Sequence, residues 1–250
     1  MGAMLGSGIF VLPGVAVGYS KEALALAYLI SGLIVLPAAL CKCELATALP
    51  RSGGTYLYVD RSVGPLAGTV VGLGTWFSLV FKSAFALVGL GAYCALLFDL
   101  SAAALTGISL AICAGLMVLN IVGVKKSTKV QTVVVAIALL ALTIFVLASA
   151  PEISTERLAR AKDVPFLSIL ACSGMVFVSF AGVTKVCSIA EEVVEPNKNL
   201  PRGILASLGL ICLIYVLVSL VLTSSVDVDV FKGSKTPIST AAASHLGSAA

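Results

Sequence analysis

Histidine and tryptophan each occur once in the 250 residues, and only 11% of the side chains are charged. With His245 as the sole imidazole, metal sites and catalytic triads have little to draw on, and no metal or cofactor is expected. His245 reads as an ordinary loop or helix-end residue, with a proton relay as the alternative. The 16 basic and 12 acidic residues leave a net charge of +4, spread along the chain. Without a basic tract to follow a phosphate backbone, nucleic acid is excluded as a partner. No nucleophile converges with a base inside the apolar stretches, so an enzyme is not expected. Gly6-Ser7-Gly8 lacks the third glycine of a dinucleotide fingerprint, which would fall at Val11, and it follows no strand. Met1 enters an apolar segment with no positive region before it, so no cleavable signal peptide is expected.

What fills the chain is hydrocarbon. Hydrophobic residues make up 59%, and the mean hydropathy is +1.11, which excludes a soluble domain. Between charges lie uncharged runs of 20 residues (1–20), 19 (23–41), 20 (62–81), 25 (100–124), 22 (130–151), 21 (164–184) and 24 (203–226). A bilayer core takes roughly 20 helical residues, so the runs predict seven membrane spans at about 1–19, 23–43, 66–97, 101–122, 129–150, 165–190 and 202–223. The seven cysteines sit in or beside these runs and read as small packing residues. Cys41-Lys42-Cys43 has no second thiol pair to complete a soft metal site.

Thr128 and Gln131 have the spacing of a capping box opening span 5. Asp163 and Asn199 stand two residues before Pro165 and Pro201, marking the starts of spans 6 and 7. Gly14/Gly18 and Gly68/Gly72 are small pairs four apart, read as helix contacts. Connections after even spans, with Lys185 just inside span 6, hold nine lysines and arginines against six after odd spans, predicting a cytoplasmic N-terminus.

Two spans carry small or polar residues in their middles: Gly6-Ser7-Gly8 in span 1 and Ser179-Phe180-Ala181-Gly182 in span 6. They are five spans apart, as two five-helix repeats, each opening with a discontinuous helix, would place them. Unwound peptide groups in lipid cost several kcal/mol each unless they line a cavity or bind something. Amides at a half-helix start suit a carboxylate, and free carbonyls suit an ammonium or sodium ion, so a zwitterion satisfies both. The alternative is that these glycines are kinks or packing contacts.

Gly6-Ser7-Gly8-Ile9-Phe10-Val11-Leu12-Pro13 resembles the span 1 signature of the amino acid–polyamine–organocation (APC) superfamily of transporters. Residues 44–56, from Glu44 to Tyr56, resemble its first cytoplasmic loop. Asn120-Ile121-Val122-Gly123-Val124-Lys125 with Gln131 resembles its span 4–5 junction. Phe177 to Gly182, followed by Glu191 to Arg202, resembles span 6 and its loop. The resemblance implies an all-α integral membrane protein with a LeuT-like five-plus-five inverted repeat. It also implies that this chain is one transmembrane domain over 1–250, truncated to about seven helices with spans 1 and 6 discontinuous. Residues 1–150 would be the first repeat and 164–250 an incomplete second one.

By the same resemblance, a substrate carboxylate would meet the amides of Gly6, Ser7 and Gly8. Its ammonium would meet carbonyls near Met4, Val178 and Ala181, and Phe180 would cover the site on the outer side, unless it is an ordinary core aromatic. Lys82 is the coupling candidate, because a cation in mid-span costs roughly 2.5–3.5 kcal/mol on the insertion scale and usually faces a partner or a wet cavity. It would take and release a proton, or its amine would stand where a related carrier binds sodium; the bland reading is a lysine stretched to a water pocket or carbonyl. Some members carry such a lysine in span 5, where this chain has Ala138. Some antiporters have an acid where it has Thr184 and Lys185, which argues against a cationic substrate. Arg51, Glu191, Glu192 and Arg202 are candidates for a cytoplasmic gate, with solvated loop charges as the alternative. The function implied is a prokaryotic-type plasma-membrane amino acid permease, a secondary carrier working by alternating access. Its coupling ion would be the proton, with sodium as the alternative. The competing reading is a membrane-embedded amino acid sensor or a non-transporting fragment of the same fold.

Overall fold

The structure is a computed structural model. It describes residues 1–49, 51–98, 101–122 and 124–246, and the side chains of all of these except 122, 124–127, 184, 189, 192, 245 and 246. Readings that rest on His245, on the side chain of Glu192, and on Lys125 and Lys126 lie outside the described side chains. Inside a bilayer each peptide group must find its partner within the chain, and the apolar runs are helical, with no strand among the described residues.

The first run is interrupted. Residues 1–5 form turns and bends, and Gly6 is extended (φ 161°, ψ −142°). A single helical turn, α1 (Ser7–Phe10), then stops at Val11 (φ −124°, ψ −45°). The chain resumes as α2 (Leu12–Ser20), with Pro13 in its first turn, where a missing amide costs nothing. Lys21, at φ 45°, turns the chain toward α3 (Leu24–Ala48). The Tyr28 hydroxyl donates to the Gly8 carbonyl at 2.6 Å. Twenty residues of straight helix would hold these groups about 30 Å apart, so the two segments are the legs of a hairpin.

Among the described residues, six stretches are long and apolar enough to cross a membrane: Leu12–Ala48, Pro65–Leu97, Ala102–Ile121, Thr128–Glu152, Phe166–Ser188 and Pro196–Ser225. Because the first is folded back on itself, the described residues form seven legs. They are built from α1/α2, α3, α5 (Pro65–Leu97), α6 (Ala102–Val122), α7 (Val124–Ser149), α9 (Phe166–Val176) with the 3-10 helix 177–192, and α10 (Pro196–Ser225). Short helices α4 (Gly54–Ser62), α8 (Thr155–Arg160), α11 (Val228–Phe231) and α12 (Pro237–Leu246) lie between or after them.

Lipid tails are as apolar as leucine, so what holds such helices together is close packing and hydrogen bonding. The core is the pair α3 and α10 with α9 and its 3-10 extension. Tyr28, Ser31, Val35 and Ala39 of α3, three or four residues apart, are buried with Leu208, Ile211, Tyr215 and Val218 of α10. A Cβ on Gly32 would stand 2.5 Å from the Cys212 sulfur, which measures how closely these helices approach. The Tyr215 ring meets Tyr28 and Phe180 edge to face, each with centroids 5.3 Å apart. By contrast α6 buries little, and Leu110, Met117 and Ile121 are exposed.

Several boundaries differ from expectation. Helix α7 begins at Val124, so Thr128 and Gln131 lie inside it and do not cap it; lysine is a good helix former, and the basic turn simply extends the helix below the apolar run. Helix α10 begins at Pro196, after Glu195 in the left-handed region (φ 47°), and takes Pro201 into its second turn; Asn199 is therefore inside the helix, its amide bonded to Val194 O. The short helix α4 was not forecast. It pairs with α5 through the small residues of that helix: a Cβ on Gly68 would meet Asp60 at 2.8 Å, and one on Gly72 would meet Tyr56 at 3.0 Å.

Candidate functional site

Span 6 is discontinuous in another way than an unwound stretch. Where Ser179-Phe180-Ala181-Gly182 was expected to open, the chain passes at Phe177 from α-helix into sixteen residues of 3-10 helix. Runs longer than three or four residues are uncommon, because side chains three apart eclipse and the bonds are poorly aligned. The tighter winding places Met175 and Val178 on one face and Phe177, Phe180 and Val183 on the next. It also brings Gly182 against span 1, where an added Cβ would collide with the Ala3 carbonyl and Met4 N. A Cβ on Gly8 would stand 2.7 Å from Ser179 Cβ. The two irregular segments therefore touch at two places, backbone to backbone at Gly182 and backbone to side chain at Gly8, with no room for a methyl group.

The break in span 1 frees carbonyls, and side chains from four other segments donate to them. Lys82 Nζ of α5 reaches Ala3 O at 3.0 Å, Tyr215 of α10 donates to Met4 O at 2.7 Å, and Tyr93 of α5 donates to Phe10 O at 2.9 Å. Gly8 O accepts from Tyr28 of α3 and, at 3.3 Å, from Ser179 of the 3-10 helix. Lys82 Nζ also lies 3.5 Å from Val178 O, so one ammonium bridges span 1 to span 6. The amides behave oppositely. Among the described residues, those of Gly6, Ser7 and Gly8 donate to no backbone carbonyl, while Ile9 and Phe10 already bond back to Gly6 O.

Ser7 and Gly8, with Leu12, Lys82, Phe85, Met175, Val178 and Ser179 but not Gly6, line a cavity of about 230 Å³ whose exposed wall is almost wholly apolar. The structure thus brings Ser7, Gly8, Val178 and Lys82 of the expected site together around this cavity, with Gly6 next in the chain and Met4 turned to Tyr215. Phe180 and Ala181 lie apart from this cavity. They line a second one, of about 420 Å³, toward the α4 end of the bundle, where Phe180 is fully buried against Tyr215. The expected ammonium partners are also in use, since Met4 O holds Tyr215 and Val178 O faces Lys82.

Of the gate candidates, Glu191 accepts a hydrogen bond from Ser52 Oγ at 3.0 Å. Hydrogen bonds from Ser52, with the nearby Arg51 charge assisting, hold this exposed carboxyl below its ordinary range. Arg51 and Arg202 are exposed, and no ion pair among the described residues joins either to Glu191.

Sequence reasoning missed Tyr28, Tyr93 and Tyr215. Their signal was a phenol in the middle of an otherwise apolar span, which when buried seeks an acceptor. Tyr215→Phe should leave Met4 O without that donor and destabilise the bundle by about 1–2 kcal/mol. Tyr28→Phe should cost less, because Ser179 also serves Gly8 O. Unfolding of the purified variants in graded detergent denaturant checks the order.

The first span of this helical bundle thus breaks around open amides, beside the ammonium of Lys82. The sequence model of the amino acid permease family matches residues 1–250, and the chain belongs to that family, within the APC superfamily. It is 27% identical over 259 residues to the branched-chain amino acid permease BcaP of Bacillus subtilis, covering 96% of this chain and 55% of that protein. It is 29% identical over 240 residues to the methylthioribose transporter of the same organism, covering 89% and 52%. To the vacuolar cationic amino acid transporter 2 of Arabidopsis thaliana it is 30% identical over 268 residues, covering 98% and 42%. The chain spans about half the length of these relatives, all of them transporters by name.

Proposed function

We propose that the full-length protein is a secondary active amino acid permease and that this chain carries the substrate site. The observation behind this reading is the set of three amides, Gly6, Ser7 and Gly8, without backbone acceptors among the described residues, two of whose residues, Ser7 and Gly8, line a cavity of about 230 Å³ together with Lys82. In a low-dielectric site, amide dipoles and an ammonium together favour a carboxylate. The substrate's own ammonium would face the carbonyl side, near Met4, Val178 and Ala181, in competition with Lys82.

Coupling follows from that competition. While protonated, Lys82 ties Ala3 O of span 1 to Val178 O of span 6 through charge-assisted bonds; a neutral amine ties them less strongly, and the segments can part. Alternating access would then be a rocking of one group of helices against the rest around the cavity. The coupling ion in this scheme is the proton; the Lys82 amine occupies the place a sodium ion would need. Thr184-Lys185, in the place where some antiporters of the superfamily carry an acid, favours a substrate without a cationic side chain. The basic residues of the even connections favour a cytoplasmic N-terminus and α4 end for a plasma-membrane permease, with Glu191 and Ser52 at the inner end.

The test is uptake by full-length protein in proteoliposomes, with labelled amino acids and imposed proton or sodium gradients. Amino acid amides, which lack the carboxylate, should compete at least about tenfold worse than the parent acids, the worth of one charge-assisted hydrogen bond. Equal competition would remove the amide cradle from the proposal.

A further inference from the structure

The larger cavity has a polar end that the scheme above does not use. It lies between α3, α4, α5 and the 3-10 helix, with apolar walls that include Val35, Val71 and Phe177. At its α4 end stands Lys42, half-buried, its Nζ 3.4 Å from Thr55 Oγ1. That bond is long, and among the described residues no carboxylate lies within 4.0 Å of this ammonium. A cation partly withdrawn from water without a counter-charge is costly and favours an anion beside it.

The two cavities are in line. Val71, Thr75 and Ser78 border the larger one, and Lys82 and Phe85 the smaller. These five are spaced four, three, four and three residues apart and so share one face of α5. A solute moving along that face leaves the amides of span 1 at one end and meets Lys42 at the other.

We propose that the larger cavity is a second carboxylate station, where Lys42 and Thr55 hold the acid group of the amino acid while its side chain lies against the apolar walls. This rests on the permease reading. The ligand class is a small monocarboxylate with an apolar tail, and the ammonium is not required there, since no acidic group among the described residues lines the cavity. Passage toward α4 is then a transfer from the amides and Lys82 to Lys42.

The experiment is equilibrium binding of labelled leucine to full-length protein in nanodiscs. Two binding events per chain are expected. Lys42→Gln should weaken one of them about tenfold or more, Lys42→Arg should restore it, and Lys82→Ala should weaken the other. Isovalerate, which has the carboxylate without the ammonium, should displace leucine from the Lys42 station in preference. Retention of the tighter event in Lys42→Gln shows that this variant is folded. A single event unaffected by Lys42→Gln would overturn the station and leave the permease reading standing. No leucine binding by folded wild-type protein would overturn both.

Discussion

Lys82→Ala is expected to abolish gradient-driven accumulation in proteoliposomes while leaving measurable exchange of internal for external substrate. Lys82 Nζ is 3.0 Å from Ala3 O and 3.5 Å from Val178 O, in two segments that must move apart if the bundle rocks. Hydrogen bonds to a charged group are worth about 1.5–3 kcal/mol each, so their making and breaking with one proton can shift the balance of two conformations by about ten- to a hundredfold. Alanine removes the proton-dependent part and leaves the amides of Gly6, Ser7 and Gly8 in place, which is why exchange should persist. Lys82→Arg keeps a charge that does not leave within the accessible pH range, and it should bind substrate yet fail to accumulate it. Accumulation by Lys82→Ala equal to wild type would remove this residue from the coupling scheme.

The second large effect should come from a single methyl group. In Gly182→Ala the new Cβ would fall on the Ala3 carbonyl and Met4 N, backbone atoms that cannot rotate away. Spans 1 and 6 would have to separate, lengthening the Lys82 contacts on both sides. Overpacking of this kind costs about 1–3 kcal/mol or more, so both the stability of the purified protein and its transport should fall steeply. Gly6→Ala is the control for folding: nothing lies within 4 Å of its added Cβ, and its extended φ of 161° suits any residue. If Gly182→Ala unfolds in denaturant alongside wild type, the close contact of the two segments is not what holds them.

Much of the molecule was legible in advance because a bilayer allows few solutions. Span 3 was placed at 66–97 and α5 runs Pro65–Leu97; span 4 was placed at 101–122 and α6 runs Ala102–Val122. These limits follow from where charges can stand in lipid. Errors arose where polar residues leave the choice open. The basic turn before span 5 looked like a cap and is helix, and Pro201 looked like a start and lies one turn inside α10. Helix α4, with its mixture of tyrosines and charges, has no signal on a hydropathy scale and is defined by packing against Gly68 and Gly72.

At the site, the small residues of Gly6-Ser7-Gly8 announced a break, because glycine and serine in mid-span waste helical bonding unless something else takes the peptide groups. Which carbonyls would be taken, and by whom, could not be read. Tyr28, Tyr93, Lys82, Ser179 and Tyr215 converge on residues 3–10 from positions as much as 211 residues away. Phe180, expected over the substrate unless an ordinary core aromatic, packs on Tyr215 beside the larger cavity; standing two residues from Val178, it faces another side of the helix.

Composition and the spacing of charges alone settled that this chain lives in a membrane as about seven helical legs, since water and hydrocarbon sort those residues whatever their neighbours. Tertiary structure alone decided that the freed carbonyls of span 1 are answered by other helices while its amides stay open. It also decided that Lys82 joins the two irregular segments and that Lys42 ends a second cavity. Hydrogen bonds and close approaches of this kind depend on positions a few tenths of an ångström apart in space and scores of residues apart in the chain, and no local pattern encodes them.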